Sequence, residues 1–232
     1  LAGKIHHEFH ESHIALAIAM FSGATIIFGA TEGKQHFEVK EVEIASKDIP
    51  KSFDGYRIIQ VADIHAGSWG TDTLPMQRAV NLINSLQPNL IVFTGDLVNN
   101  LASELDPFIP VFSRLQAKHG VYSVLGNHDY STYIKWENPS LQKAELDSLK
   151  AKQAQMNWLL LNNRHVKIQH QTDSIALIGV ENSGRPPFPD HSRLNEALEG
   201  TEGLFKILLS HDPSHWRREV LPNTDIHLTL SG

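Results

Sequence analysis

Cysteine is absent from all 232 residues. That excludes a disulfide framework, a thiolate nucleophile and a sulfur-ligated zinc site, so any metal chemistry must use His, Asp, Asn and Glu. Positive charge is also scarce: 20 Lys and Arg against 26 Asp and Glu give a formal net charge of -6. Such a surface does not attract a phosphate backbone, and no nucleic-acid partner is expected. Internal repeats, low-complexity tracts and long linkers are lacking too. What the chain has in quantity is histidine, with 14, and enough apolar residues for one substantial core.

The N-terminal stretch divides into two parts. Residues 1–13 carry His6, His7, His10 and His13 with Glu8 and Glu11 among them. On a helix His6, His10 and His13 share a face, but His7-Glu8-Phe9-His10 is one residue short of HExxH, and a polar flank is the favoured reading. Residues 14–30 carry no charged side chain. At 1.5 Å per residue this run spans about 25 Å, slightly short of the ~20 residues usual for a membrane helix. A signal peptide would begin with a basic region, and a His-rich flank stands there instead, so a membrane helix is expected at 14–30. The side of the membrane stays open, because Lys4 on one flank and Lys34 and Lys40 on the other give no clear bias. Residues 37–44 alternate imperfectly and suggest a half-solvated strand entering a soluble domain that runs from 37 to 232. Both ends read as cut, at Leu1 and at Gly232.

From Arg57 onward, strands and helices alternate. The β-branched run Ile58-Ile59-Gln60-Val61 reads as a buried strand and stops at Asp63-Ile64-His65. An amphipathic helix over 73–86 and the strand Leu90–Phe93 complete a βαβ unit with parallel strands, ending in Thr94-Gly95-Asp96. A helix near 107–117 leads to the strand Val121–Leu125, which ends in Gly126-Asn127-His128-Asp129. A helix follows at 139–156, and Trp158–Leu161, Val166–Ile168 and Ile175–Val180 read as strands of a second sheet. A helix near 190–199 precedes the strand Phe205–Leu209, which ends in Ser210-His211-Asp212.

Four strand ends thus carry Asp63 and His65, Asp96, Asn127 and His128, and His211. In an open α/β sheet, ligands bind outside the carboxyl ends of the strands, so these groups converge despite their separation in sequence. Any one of them has an ordinary explanation as a turn former or a structural histidine. Together they do not. Oxygen and imidazole donors without sulfur suit Mn, Fe or Zn. A shared carboxylate suits a pair of ions that clamp both oxygens of an in-line displacement at phosphorus and activate a water.

Taken in this order, Asp63-Ile64-His65, Gly95-Asp96, Gly126-Asn127-His128-Asp129 and His211 resemble the calcineurin-like metallophosphoesterase superfamily over residues 57–232. The resemblance implies a four-layer αββα sandwich of two mixed β-sheets flanked by helices. It implies two divalent metal ions, the first held by Asp63 and His65, the second by Asn127 and His211, with Asp96 bridging. His128 would be the catalytic group, donating a proton to the leaving alkoxide or stabilising phosphoryl oxygens. The family closes its site with Gly-His-x-His, which would begin at Gly232; each ion therefore lacks one expected imidazole here, and the native protein is expected to continue. Several branches place an acid three residues after the bridging Asp, where Asn99 stands. An amide there accepts a hydrogen bond from His128 but does not stabilise an imidazolium by charge. Aromatic-bearing loops at Trp69 and at Tyr130, Tyr133 and Trp136 are candidates for a substrate rim, and Arg185 reads as a solvated arginine.

The apolar helix and motif style resemble the membrane-associated, bacterial-type branch, which includes lipid-pyrophosphate hydrolases of the UDP-diacylglucosamine type. A lipid-linked or pyrophosphate ester is the preferred substrate. A soluble nucleotide or general phosphodiesterase, and an inactive metal-binding scaffold, are the alternatives.

Overall fold

The computed structural model describes residues 2–232, with side chains described from Ser12 onward except that of Lys34. His6 and His10 of the proposed histidine face lie outside the described side chains. The chain separates into two compact units, residues 1–44 and 45–232.

The first unit is dominated by helix α1, Ala2–Ala30. Its 19-residue stretch Ser12–Ala30 is long and apolar enough to cross a membrane by length and composition. Residues 36–46 carry no regular structure, which corrects the strand expected at 37–44. Phe37, Val39, Val42 and Ile44 are exposed, and no strand among the described residues pairs with them. Without a neighbouring ladder to receive its N–H and C=O groups, an extended segment gains nothing from the strand conformation.

The second unit holds two four-stranded sheets. The first is formed by β1 (Ile58–Val61), β2 (Leu90–Phe93), β3 (Val121–Ser123) and β4 (Trp158–Leu160), in that order. All its pairings are parallel, with Ile58 opposite Leu90, Ile91 opposite Val121, and Val121 opposite Trp158. Helix α2 (Leu74–Ser85) is the crossover of the expected βαβ unit. The helix expected at 107–117 is instead a 3-10 stretch, Ala102–Phe108, followed by the short α3, Ile109–Phe112. Pro107 and Pro110 each lack an N–H, so a continuous α-helix cannot form through them. Helix α4 (Pro139–Gln155) starts at Asn138, whose side chain accepts from the N–H groups of Ser140 and Leu141, and crosses to β4.

The second sheet follows the order β5 (Arg164–His170), β6 (Asp173–Gly179), β7 (Phe205–Leu209), β8 (Leu228–Leu230). Only β5 and β6 pair antiparallel, so this sheet is mixed and the first, expected to be mixed, is parallel throughout. β4 also departs from expectation, since it belongs to the first sheet. The reason is Trp158, which is buried against Phe93 and Phe112 on the helix-covered face of that sheet. Two short helices, α5 (Leu194–Leu198) and α6 (Leu221–Asn223), complete the unit.

Three hydrophobic clusters mark the three interfaces of a four-layer sandwich. In one, Ile91, Phe93, Val121 and Trp158 meet Val80, Phe108, Phe112 and Leu149 from the helical side. In another, Leu90, Val92, Tyr122 and Val124 of the first sheet meet Ile175, Leu177, Ile207 and Leu209 of the second. In the third, Ala176, Ile178 and Leu208 meet Leu194, Ala197 and Val220. β2 shows the cause most plainly: alternate side chains point to opposite faces, both faces are covered, and Leu-Ile-Val-Phe is apolar at every position. Each such buried side chain is worth about 1.5–3 kcal/mol of transfer free energy.

Candidate metal centre

Three left-handed residues shape the centre. Past β1 the chain places Asp63 at φ 52° and His65 at φ 46°, and past β2 it places Asp96 at φ 59°. Non-glycine residues with positive φ are strained and collect at functional sites. The two loops are held together by backbone hydrogen bonds that extend the sheet: Asp63 N–H to Gly95 O at 3.0 Å, His65 N–H to Asp96 O at 3.1 Å, and Ala66 N–H to Leu97 O at 2.9 Å. The third loop must come equally close. A methyl group on Gly126 would collide with the Asp96 carboxylate, and one on Gly95 would lie 2.7 Å from Gly126 N and from His211 Nδ1. Glycine is required at both positions by space.

Asp96 is the hub. Its Oδ1 accepts the His128 backbone N–H at 2.9 Å. Its Oδ2 lies 3.6 Å from His65 Nε2 and 3.4 Å from His211 Nε2. Two groups of potential ligand atoms result, His65 with Asp96 and His128, and Asp63 with Asp96 and His211, the atoms of each lying within 4.8 Å of one another. Asp96 belongs to both. Asn127 joins through Oδ1, 3.1 Å from His211 Nε2. All six expected site residues are therefore brought together, although Asp63 lies in the group of His211 and His65 in that of His128.

The electrostatics follow from this crowding. Burial by itself disfavours a charged His211, but the Asp96 hydrogen bond and charge, the Thr94 carbonyl and Asp63 outweigh it and push the pKa up to about 9. Burial likewise disfavours a charged Asp96, yet His211 and the His128 N–H hold its carboxyl below the ordinary range. Asp63 is raised, first by burial and then by the Asp96 charge, against the pull of the three histidines. His211 Nδ1 donates to Thr94 O at 2.9 Å, so Nε2 is the nitrogen that faces Asp96 and Asn127. A proton there sits beside the Asp96 carboxylate and the Asn127 amide oxygen, both of which favour positive charge. Two carboxylates, an amide oxygen and imidazoles fit divalent ions of the Mn, Fe or Zn type.

His128 Nδ1 lies 2.7 Å from the backbone carbonyl of Asn99. A carbonyl only accepts, so Nδ1 carries the hydrogen and Nε2 is left for chemistry. Asn99 thus acts through its main chain, which corrects the side-chain hydrogen bond expected of it. The cause is Glu104, whose carboxylate accepts the N–H groups of Asn99, Asn100 and Leu101 at 2.6, 3.1 and 3.0 Å. With the Asn100 N–H turned to Glu104, the Asn99 carbonyl of the same trans peptide faces the other way. The Asn99 amide instead donates to Ser68 Oγ at 3.0 Å.

Sequence reasoning gave no role to Asp129 or Glu104. The fully buried Asp129 carboxylate accepts backbone N–H groups from Asp96, Leu97, Val98 and Gly126 at 2.9–3.2 Å, and so ties the loop after β2 to the loop after β3. Burial and the neighbouring Asp96 push its pKa up to about 7 while these donors pull it down. Its place directly after Asn127-His128 was the available signal. Glu104 has no local signature. Of the rim candidates, the indoles of Trp69 and Trp136 donate to their own loops, at Ile64 O and Ser131 O. Tyr133 instead stacks over His128, and Arg185 is exposed.

Residues 56–232 match the family model of the calcineurin-like phosphoesterases. The chain belongs to this family. It is 29% identical over 97% of its length to a "Transmembrane protein with metallophosphoesterase domain" of Danio rerio, and spans 49% of that protein. It is 30% identical to the uncharacterized metallophosphoesterase YkuE of Bacillus subtilis, over 84% of this chain and 63% of the other. A shorter match, 36% identical over 38% of this chain and 27% of the other, is to the UDP-2,3-diacylglucosamine pyrophosphatase LpxG of Chlamydia trachomatis. The chain thus spans about half the length of the curated transmembrane relatives it matches.

Proposed function

We propose that this family member hydrolyses phosphate esters with a pair of divalent ions, Asp63 and His65 serving the first, Asn127 and His211 the second, and Asp96 both. The observation that carries this reading is the Asp96 carboxylate, one oxygen fixed by the His128 N–H and the other set between His65 and His211. When bound, two such ions supply Lewis acidity toward the phosphoryl oxygens and the attacking water.

The chain's own residues do the rest. His128, held with a hydrogen on Nδ1 by the Asn99 carbonyl, presents Nε2 to the reacting group; as an imidazolium it would pass the Nε2 proton to the departing oxygen and be left as the neutral Nδ1–H form. Asp129 keeps the two loops from drifting, because four N–H groups converge on it. The left-handed turns at Asp63, His65 and Asp96 hold the ligands in place before substrate arrives.

For the substrate we favour a lipid-linked phosphate ester or pyrophosphate at a membrane. The Ser12–Ala30 helix and the LpxG relatives support that choice. The experiment is turnover by the full-length protein with added Mn2+ on a chromogenic phosphodiester, a chromogenic monoester and a lipid-linked pyrophosphate in mixed micelles. Turnover of the lipid substrate above the others is expected. Preference for a water-soluble diester would replace the lipid reading, and metal uptake without any turnover would leave a binding scaffold.

A further inference from the structure

The geometry points to Tyr133 as a positioning residue for the second ion, clamping the amide of Asn127 so that its oxygen faces the centre. This inference rests on the dinuclear reading above. Asn127 Nδ2 donates to the Tyr133 hydroxyl at 2.7 Å, on the opposite end of the amide from Oδ1, which points at His211 Nε2. The Tyr133 ring lies over the His128 imidazole, with centroids 4.5 Å apart and planes 32° apart. One side chain therefore touches both Asn127 and His128 in the loop after β3.

An asparagine ligand needs such a partner more than a carboxylate does. Only one of its two terminal atoms has a lone pair for a cation, and rotation about its last bond carries that atom away. The other two anchors of the loop, the His128 N–H on Asp96 and the Asp129 carboxylate on Gly126, fix the backbone and leave this rotation free. The phenol closes it. By accepting an N–H from the ligand amide, the hydroxyl also draws electron density toward Oδ1 and makes it a better donor. Groups one step behind a metal ligand commonly change metal affinity 10–100-fold when removed. Tyr133 is 51% exposed, so replacing it does not open the core, and Tyr133→Phe keeps the ring over His128 while removing only the hydroxyl.

The test is a Mn2+ titration of the full-length protein by calorimetry, with turnover measured against metal concentration. In Tyr133→Phe the second ion is expected to bind about 10-fold more weakly with the first unchanged, and the Mn2+ concentration for half-maximal turnover to rise by the same factor. The deficit is expected to vanish in an Asn127→Ala background, because the hydroxyl then has no amide to hold. Equal second-ion affinity in parent and Tyr133→Phe overturns the clamp and leaves the dinuclear reading standing. A deficit that persists without Asn127 also overturns it. Uptake of one ion by the parent protein overturns both.

Discussion

Replacing His65 separates what it contributes as a ligand from what its backbone costs. The residue sits at φ 46° and ψ 63°, where an L-residue is disfavoured by roughly 1–2 kcal/mol and glycine is not. His65→Ala and His65→Gly both remove the imidazole, so in a chelator they differ only in the backbone. Glycine loses about 0.5–1 kcal/mol more chain entropy on folding than alanine. Set against that strain, this leaves His65→Gly more stable by up to about 1.5 kcal/mol. In a domain of this size that separates the melting midpoints by ~2–4 °C per kcal/mol. A matched pair in ordinary helix runs the other way: Ala79→Gly within α2 should cost about 1 kcal/mol. The assay is thermal denaturation with EDTA for all variants. An alanine variant as stable as the glycine variant, with the helix control behaving normally, would refute a strained backbone at the centre.

Asp129→Asn replaces one acceptor oxygen by a donor facing two buried N–H groups, so unfolding in urea should show a loss of about 2–6 kcal/mol. Gly126→Ala drives a methyl group onto the Asp96 carboxylate, and metal analysis after gel filtration should find less than half the parent's bound Mn2+. His215 is fully buried between Ser210 Oγ and Glu219, and burial holds its pKa below the ordinary 6.5 despite Glu219. The unfolded chain therefore takes up a proton near pH 6.5 that the folded one refuses, and stability falls as pH drops below that point. Denaturation midpoints from pH 7.5 to 5.5 should flatten in His215→Gln, and an unchanged slope would be evidence against it. Paired Ile18→Arg and Ile26→Arg substitutions in α1 add roughly 2.5–3.5 kcal/mol each at a bilayer centre, so the double variant should fail to float with vesicles that the parent accompanies.

The parts of the fold visible in the sequence are those where pattern and packing agree. β2 reads as a strand because both its faces are covered and all four of its residues are apolar. The loops after β1, β2, β3 and β7 are legible because each places ligand-type residues right after such a run. Trp158–Leu161, expected in the second sheet, supplies a strand of the first, because so short a strand has no pattern that tells one sheet from its neighbour; the packing of Trp158 against Phe93 and Phe112 decides it. Residues 37–44 carried the period of a strand without a partner to pair with. In the centre, the ligands were visible and their supports were not. Glu104 and the Asn99 carbonyl act through main-chain groups, which every residue possesses, and Tyr133 lies over His128 through a turn that sequence spacing does not specify.

The central claim is that Asp96 is shared by two ions, and Mn2+ electron paramagnetic resonance on the full-length protein tests it most directly. A shared carboxylate holds the ions close enough for exchange coupling. Two Mn2+ per chain are expected, with the multiline spectrum of a coupled pair, reduced to an uncoupled signal by Asp96→Asn. A single six-line signal from the parent protein at saturating Mn2+, unchanged by that substitution, would contradict it.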